Sequence, residues 1–189
     1  MTMSKNEEAM LHKYISLSTH YLEFGSGNST IHASTVKSLE SIDSVESSLK
    51  FINEYARPHE SIIESEKSKI LNFHIIDIGE TGMWGFPINH ESQDLWPNYS
   101  NAVFKNNKEF DLVLVDGRFR VACVLNTLLN TPEYCTILVH DFWNRPEYHV
   151  ILKFLHVKDK TGTLGVFYKK DNLDTSLIKN LIEDYQFRP

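Results

Sequence analysis

Residues able to do chemistry gather in five places along this chain. The run YLEFGSGNST, positions 21–30, sets Glu23 two places before Gly25, with Phe24 between them and Ser26, Gly27, Ser29 and Thr30 after. Glu46 follows about twenty residues after the glycines, the offset at which an acid can take both hydroxyls of a ribose. Asp77 ends the next apolar run, placed to meet an adenine amine. Asp116-Gly117-Arg118 closes another run, and His140-Asp141 closes the last, with Arg145 and His149 beyond it. A glycine turn that opens a helix offers backbone N–H groups to a ligand. Gly27 lets a bulky ligand reach the main chain, because a Cβ there would occupy its space. A dinucleotide fingerprint needs a small third residue in G-x-G-x-x-G/A. The third residue here is Thr30, and Glu23 would stand as a negative charge beside a pyrophosphate. A cationic or amine-bearing ligand suits Glu23 better.

Two kinds of acid–base chemistry are open. Asp116 and Asp141, at neighbouring strand ends, make a carboxylate pair able to hold Mg²⁺ or Mn²⁺, which lowers the pKa of a bound hydroxyl. The metal-free alternative makes His140 or His149 a general base, since imidazole titrates near neutral pH. Among Arg118, Arg120 and Arg145, the first and last lie just beyond two strands and suit a clamp on a carboxylate or phosphate. Surface salt-bridging is the alternative for all three.

The elements that must position these groups alternate between strand and helix, which predicts an α/β fold with a doubly wound, mostly parallel sheet. A helix over about 7–17 precedes strand one, 20–24, and a second helix starts near Ser29. Strand two is Ser41–Glu46, and a helix over 47–56 ends at Arg57-Pro58, where the residue before proline is disfavoured as helix. Strand three is 70–78, strand four 110–116 and strand five 135–141. The near-continuous apolar run FDLVLVD reads as a strand buried on both faces. Helices follow at 119–130 and from Pro146 to about 156. A C-terminal antiparallel hairpin, 155–159 and 163–169, turns at Lys160-Thr161-Gly162, and Asp174 caps a last helix over 174–185. One long stretch, 79–109, is irregular and rich in Gly, Pro and aromatics. It reads as an insertion, either a lid or a small core under a loop.

With the strings LEFGSGNST, DIGETGMWGFP, DLVLVDGRFR and VHDFWNRPEYH in hand, the chain resembles class I S-adenosylmethionine-dependent methyltransferases over about 20–169. More distantly, VDGRFR paired with VHDFWNRPEYH is similar to plant polysaccharide methyltransferases of the glucuronoxylan type. The resemblance implies a Rossmann-like fold and S-adenosylmethionine as cofactor. It implies that Glu23, Phe24, Gly25, Ser26, Gly27, Ser29 and Thr30 hold the methionine end, Glu46 the ribose and Asp77 the adenine side, with Asp116 close by. The function expected is methylation of an oxygen on a small molecule or saccharide. A cofactor-binding, partner-activating module without catalysis and an NAD(P)-dependent oxidoreductase are the alternatives.

Composition narrows the class further. The 189 residues suit a single domain, 1–189, and carry a formal charge of −6. Without a cluster of Lys and Arg, a broad nucleic-acid footprint is not expected. No apolar run reaches membrane-span length, and the opening MTMSKNEEAM has no apolar signal-peptide region. Cys123 and Cys135 sit in apolar surroundings, reading as reduced core residues of a cytoplasmic protein.

Overall fold

The computed structural model describes residues 3–189; positions 1 and 2 of the expected domain lie outside the described residues. Seven strands form one sheet in the order β3-β2-β1-β4-β5-β7-β6. They are β1 (His20–Phe24), β2 (Ser41–Glu46), β3 (Leu71–Ile75), β4 (Leu112–Val115), β5 (Thr136–Val139), β6 (Leu155–Thr161) and β7 (Leu164–Lys169). The first five pair in parallel, and β7 runs antiparallel to β5 and β6. The chain winds outward from β1 to β3, then crosses back to lay β4 on the other side of β1. That reversal of winding opens a crevice beyond the carboxyl ends of β1 and β4.

Both sheet faces are covered, which explains the continuous apolar run of β4. Leu112 and Leu114 pack with Tyr21, Ile42 and Leu138 under α1 (Lys5–Ile15), α2 (Asn28–Ala33) and α4 (Glu60–Lys67). Val113 and Val115 pack with Leu22, Phe24, Val45 and Val139 under α6 (Arg120–Asn130) and α7 (Thr175–Tyr185). The register sets Phe24 beside both Val45 and Val115, so β1, β2 and β4 end level.

Several expected boundaries shift. Strands three, four and five are shorter at both ends, so Asp77, Asp116, His140 and Asp141 sit on loops past the last paired residues. The helix expected from Ser29 ends at Ala33. The helix over 47–56 is α3 (Leu49–Phe51) running into a π turn, Ile52–Ala56. The stretch from Pro146 is a 3₁₀ helix ending at Lys153. Helix α4 has no apolar period in the sequence, because its residues are mostly polar and only Ile62 and Ser65 are buried. The segment 79–109 divides in two. Trp96, Tyr99, Val103 and Phe104 are buried in the α6-side core, around α5 (Pro97–Asn101), and the Trp96 indole donates to the Ile78 carbonyl at 2.9 Å. Met83 and Trp84 instead stand exposed.

Helix α1 is tied to the far end of the sheet by one carboxylate. Glu7 Oε2 accepts from the Ser4 N–H and hydroxyl at 2.7 and 2.8 Å. Oε1 accepts from the Thr163 N–H and hydroxyl, at 2.6 and 2.8 Å, in the β6–β7 turn. Burial alone would raise this carboxyl, but the donors from Ser4 and Thr163 outweigh it and hold it at about 2. A folded-state pKa below the unfolded one contributes stability above the unfolded value, lost as pH falls through the folded one. Glu7→Gln should therefore lower stability at pH 7 by roughly 2–3 kcal/mol. Urea melts should show the gap to wild type closing between about pH 4.5 and 2; a gap that ignores pH would show that the tether is not ionic.

Candidate functional site

The glycine turn is held from beneath by its upstream acid. Leu22 and Phe24 face the α6 side, so the two-residue strand period turns Tyr21 and Glu23 toward α1 and α2. Glu23 is fully buried there. Its Oε2 accepts from the Tyr21 hydroxyl at 3.0 Å, and its Oε1 accepts from Ser44 at 2.7 Å and from the Thr30 hydroxyl. Burial raises its pKa, against the opposing pull of those hydroxyl donors. Thr30 Oγ1 in turn accepts the Gly27 N–H at 2.9 Å, and Ser44 meets Ser26 at 2.6 Å. Glu23, Phe24 and Thr30 therefore shape the turn from inside and do not line the cleft, a correction to their expected contact with a ligand. Nor is the turn a free shelf of donors: Gly25 N–H goes to Val45 O, and Ser26 N–H points to Glu46 Oε2.

Gly25 has φ +94°, and a Cβ there would lie 2.7 Å from the Gly117 Cα. The ends of β1 and β4 thus meet backbone to backbone, which only glycine permits. At Gly27 a Cβ would meet nothing within 4 Å. It would project into open space.

That space is a cleft of about 1290 Å³ at the switch point. Gly25, Ser26, Gly27 and Ser29 line it, as do Glu46, Asp116, Arg118, Asp141 and Arg145. Asp77 does not reach it. It is exposed and accepts the Gly79 N–H at 2.9 Å, closing its own turn. Glu46 Oε1 accepts the N–H groups of Ser47 and Ser48 at 2.7 and 3.1 Å, leaving Oε2 with the 3.3 Å Ser26 contact. Thr81, Trp84 and Phe86 form the rim, and the Arg118 guanidinium lies 4.0 Å from the Phe86 ring centroid. Trp84 holds a left-handed φ of 61°. Arg118 Nε is buried without a hydrogen-bond partner among the described residues. Burial, and then the charge of Arg120, push the pKa of Arg118 down. At the opposite wall, His12 of α1 stacks on His32 of α2 with ring centroids 3.4 Å apart.

Behind the cleft lies a charged network. His140 is 1% exposed, and its Nδ1 is 2.8 Å from Asp116 Oδ1. Burial lowers its pKa, but the hydrogen bond and charge of Asp116, with Asp141, outweigh that and raise it. Arg120 reaches the same Asp116 oxygen at 3.1 Å and Asp141 Oδ2 at 3.5 Å. His140 is thus a buried support for Asp116 and no free base at the cleft, which corrects one metal-free expectation. His149 corrects the other: its Nε2 donates to the Phe142 carbonyl at 3.0 Å and its ring packs on Phe142 and Trp143, away from the cleft. Asp116 and Asp141 do converge, but Arg120 already bridges them, so the pair as folded does not suit a metal ion. In the sequence, position just beyond a strand favours Arg118 and Arg145 over Arg120. The signal was present in its spacing, four residues after Asp116 on the first turn of a helix.

No protein-family model matches this sequence. No curated protein matches it either. Solved structures do. A methyltransferase-like protein from Silicibacter pomeroyi DSS-3 is 28% identical, with a TM-score of 0.83 over 100% of this chain and 97% of that one. A protein assigned as a caffeoyl-CoA O-methyltransferase from Staphylococcus aureus is 8% identical, with a TM-score of 0.63 over 90% of this chain and 86% of its own. A protein assigned as a methyltransferase from Streptococcus mutans, in complex with S-adenosylhomocysteine, is 10% identical, with a TM-score of 0.51 over 89% of this chain and 100% of its own. The fold is the Rossmann-like fold of class I S-adenosylmethionine-dependent methyltransferases, as the sequence resemblance implied. No helix among the described residues is long and apolar enough to cross a membrane.

Proposed function

We propose that this protein is an S-adenosylmethionine-dependent methyltransferase acting on an oxygen of a small molecule or saccharide. The convergence of Gly27, Glu46 and Asp116 on one cleft at the switch point carries this reading. The cradle fits the cofactor: the space a Cβ would enter at Gly27 is open, and Glu46 offers an under-used carboxylate oxygen to a ribose. Bound there, S-adenosylmethionine supplies a methyl carbon made electrophilic by its sulfonium. The chain's own residues do the rest. Asp116 accepts a hydrogen bond from the acceptor hydroxyl and takes its proton, while His140 and Arg120 hold the carboxylate in place. Arg118 and Arg145 favour an acceptor carrying a negative group. The segment 81–88 serves as a lid that excludes water. The buried, reduced thiols of Cys123 and Cys135 accord with a cytoplasmic setting.

The test is calorimetry with S-adenosylhomocysteine against NAD and NADP, with Trp84 fluorescence followed in the same titration. S-adenosylhomocysteine should bind and the dinucleotides should not. Preference for a dinucleotide would point to an oxidoreductase. Binding without methyl transfer to any of a phenol and saccharide panel would point to a non-catalytic module.

Glu46→Ala should weaken S-adenosylhomocysteine by roughly 1.5–3 kcal/mol, the range for hydrogen bonds to a charged group. It should also cost the apo protein about 1 kcal/mol, because Glu46 closes its own turn and receives Ser26. Binding by calorimetry and melting by circular dichroism separate the two effects. An unchanged affinity would remove Glu46 from the site.

A further inference from the structure

We propose that Arg120 stands in for a divalent cation: its guanidinium closes a set of side chains that would otherwise bind one. The carboxylates of Asp116 and Asp141 and the imidazole of His140 offer ligand atoms that all lie within 4.8 Å of one another. Two carboxylates and an imidazole form a donor set suited to Mn²⁺. Arg120 bridges the two carboxylates of that set, at 3.1 Å from Asp116 Oδ1 and 3.5 Å from Asp141 Oδ2.

Three backbone carbonyls lock it there. Nε donates to Gly117 at 3.0 Å, Nη2 to Asp116 at 3.1 Å, and Nη1 to His140. The local backbone aims it inward, since Phe119, just before it, adopts a left-handed φ of 52° that opens α6 toward the strand ends. A planar fork with five donors matches this crowd of oxygens as a lysine would not. One oxygen lacks a hydrogen bond. Asp141 Oδ1, on a side chain 5% exposed, has no hydrogen-bond partner among the described residues and lies 3.9 Å from His140 Nε2. Asp141 itself holds a left-handed φ of 56°. A buried carboxylate oxygen without a hydrogen bond, beside two further ligand atoms, is what a metal ion would claim if the guanidinium were gone.

Ionic balance supports the exchange. Arg120 faces the carboxylates of Asp116 and Asp141, and a third carboxylate, Glu7, lies 4.0 Å from His140 Nε2. Removing Arg120 leaves an excess of negative charge in a largely dry place. Even with water-like screening, removing a unit charge about 4 Å from a divalent ion is worth about 30-fold in affinity.

The experiment is a Mn²⁺ titration of the full chain followed by electron paramagnetic resonance, and it needs neither cofactor nor acceptor. Its result is therefore independent of the methyltransferase assignment. Wild type and Arg120→Lys should show no specific site. Arg120→Ala, or the bulkier Arg120→Met if the first folds poorly, should gain one site at least about 30-fold tighter. Adding Asp116→Asn to either variant should remove it. A folded Arg120 variant that binds Mn²⁺ no better than wild type overturns the proposal. So does wild-type protein that binds one Mn²⁺ and loses it on Asp116→Asn, and this arm holds even if neither Arg120 variant folds.

Discussion

Gly27→Val is expected to abolish S-adenosylhomocysteine binding while leaving the protein folded. A Cβ at this position meets no heavy atom within 4 Å, and the φ of 168° is extended backbone that any residue adopts. Stability should therefore change by less than about 1 kcal/mol, as for a substitution that disturbs no core contact. The added side chain would stand in the space reserved for the ligand, beside Glu46. The affinity loss should be at least about 100-fold, or roughly 2.8 kcal/mol. Gly25→Ala provides the contrast. Its φ of +94° and a Cβ 2.7 Å from Gly117 make that change a fold defect, expected to lower the melting temperature before binding is considered. Calorimetry and thermal melts on the two variants separate a binding glycine from a structural one. Full affinity in a folded Gly27→Val would remove the cradle from the argument.

That contrast shows what was legible in the residues. Both glycines belong to one motif, but the sequence does not say which faces solvent and which faces Gly117. Strand identity was readable where burial is symmetric. The β4 run has no polar interruption because both its faces are covered, and Asp174 caps α7 as its type suggests, accepting the Leu177 N–H at 2.9 Å. Helix α4 was not readable, because one buried Ile62 gives no period. Acids at strand ends were visible, but not their direction. Glu23 followed the strand period inward, a point the alternation of Tyr21, Leu22, Glu23 and Phe24 already contained. Asp77 was lost when β3 ended at Ile75 and the chain turned. His140 and His149 looked like bases because imidazole titrates near neutrality. Each instead holds another group in place, and only the packing around it reveals that. The aromatics of 79–109 divide: Trp96 and Tyr99 are buried in the core, and Trp84 and Phe86 stand exposed at the rim of the cleft.

Asp116→Asn is expected to have the largest effect on turnover. Asp116 alone among the network's acids and imidazoles joins two properties: its side chain is 28% exposed toward the cleft, and Arg120 and His140 hold its carboxylate from behind. Asparagine keeps the shape and one acceptor oxygen for His140 but cannot take a proton. Losing a positioned general base typically costs 10²–10⁴-fold, so turnover should fall by at least about 100-fold. S-adenosylhomocysteine affinity should shift by less than about 3-fold, since the amide still fills the same volume; the corresponding free energy is below the 1.4 kcal/mol of a tenfold change. Stability should fall by about 2 kcal/mol, because Arg120 and His140 lose the carboxylate that both contact. The measurement is methyl transfer to an acceptor from the phenol and saccharide panel, under saturating cofactor, alongside calorimetry and melting. Arg120→Lys makes the comparison sharper, since it keeps a cation behind Asp116 and should retain far more activity than Asp116→Asn. If Asp116→Asn turns over like wild type while binding and fold are intact, the proton leaves by another route. Asp116 would then be a structural partner of His140, and the search for the base would move to the opposite wall of the cleft, where His12 and His32 stack.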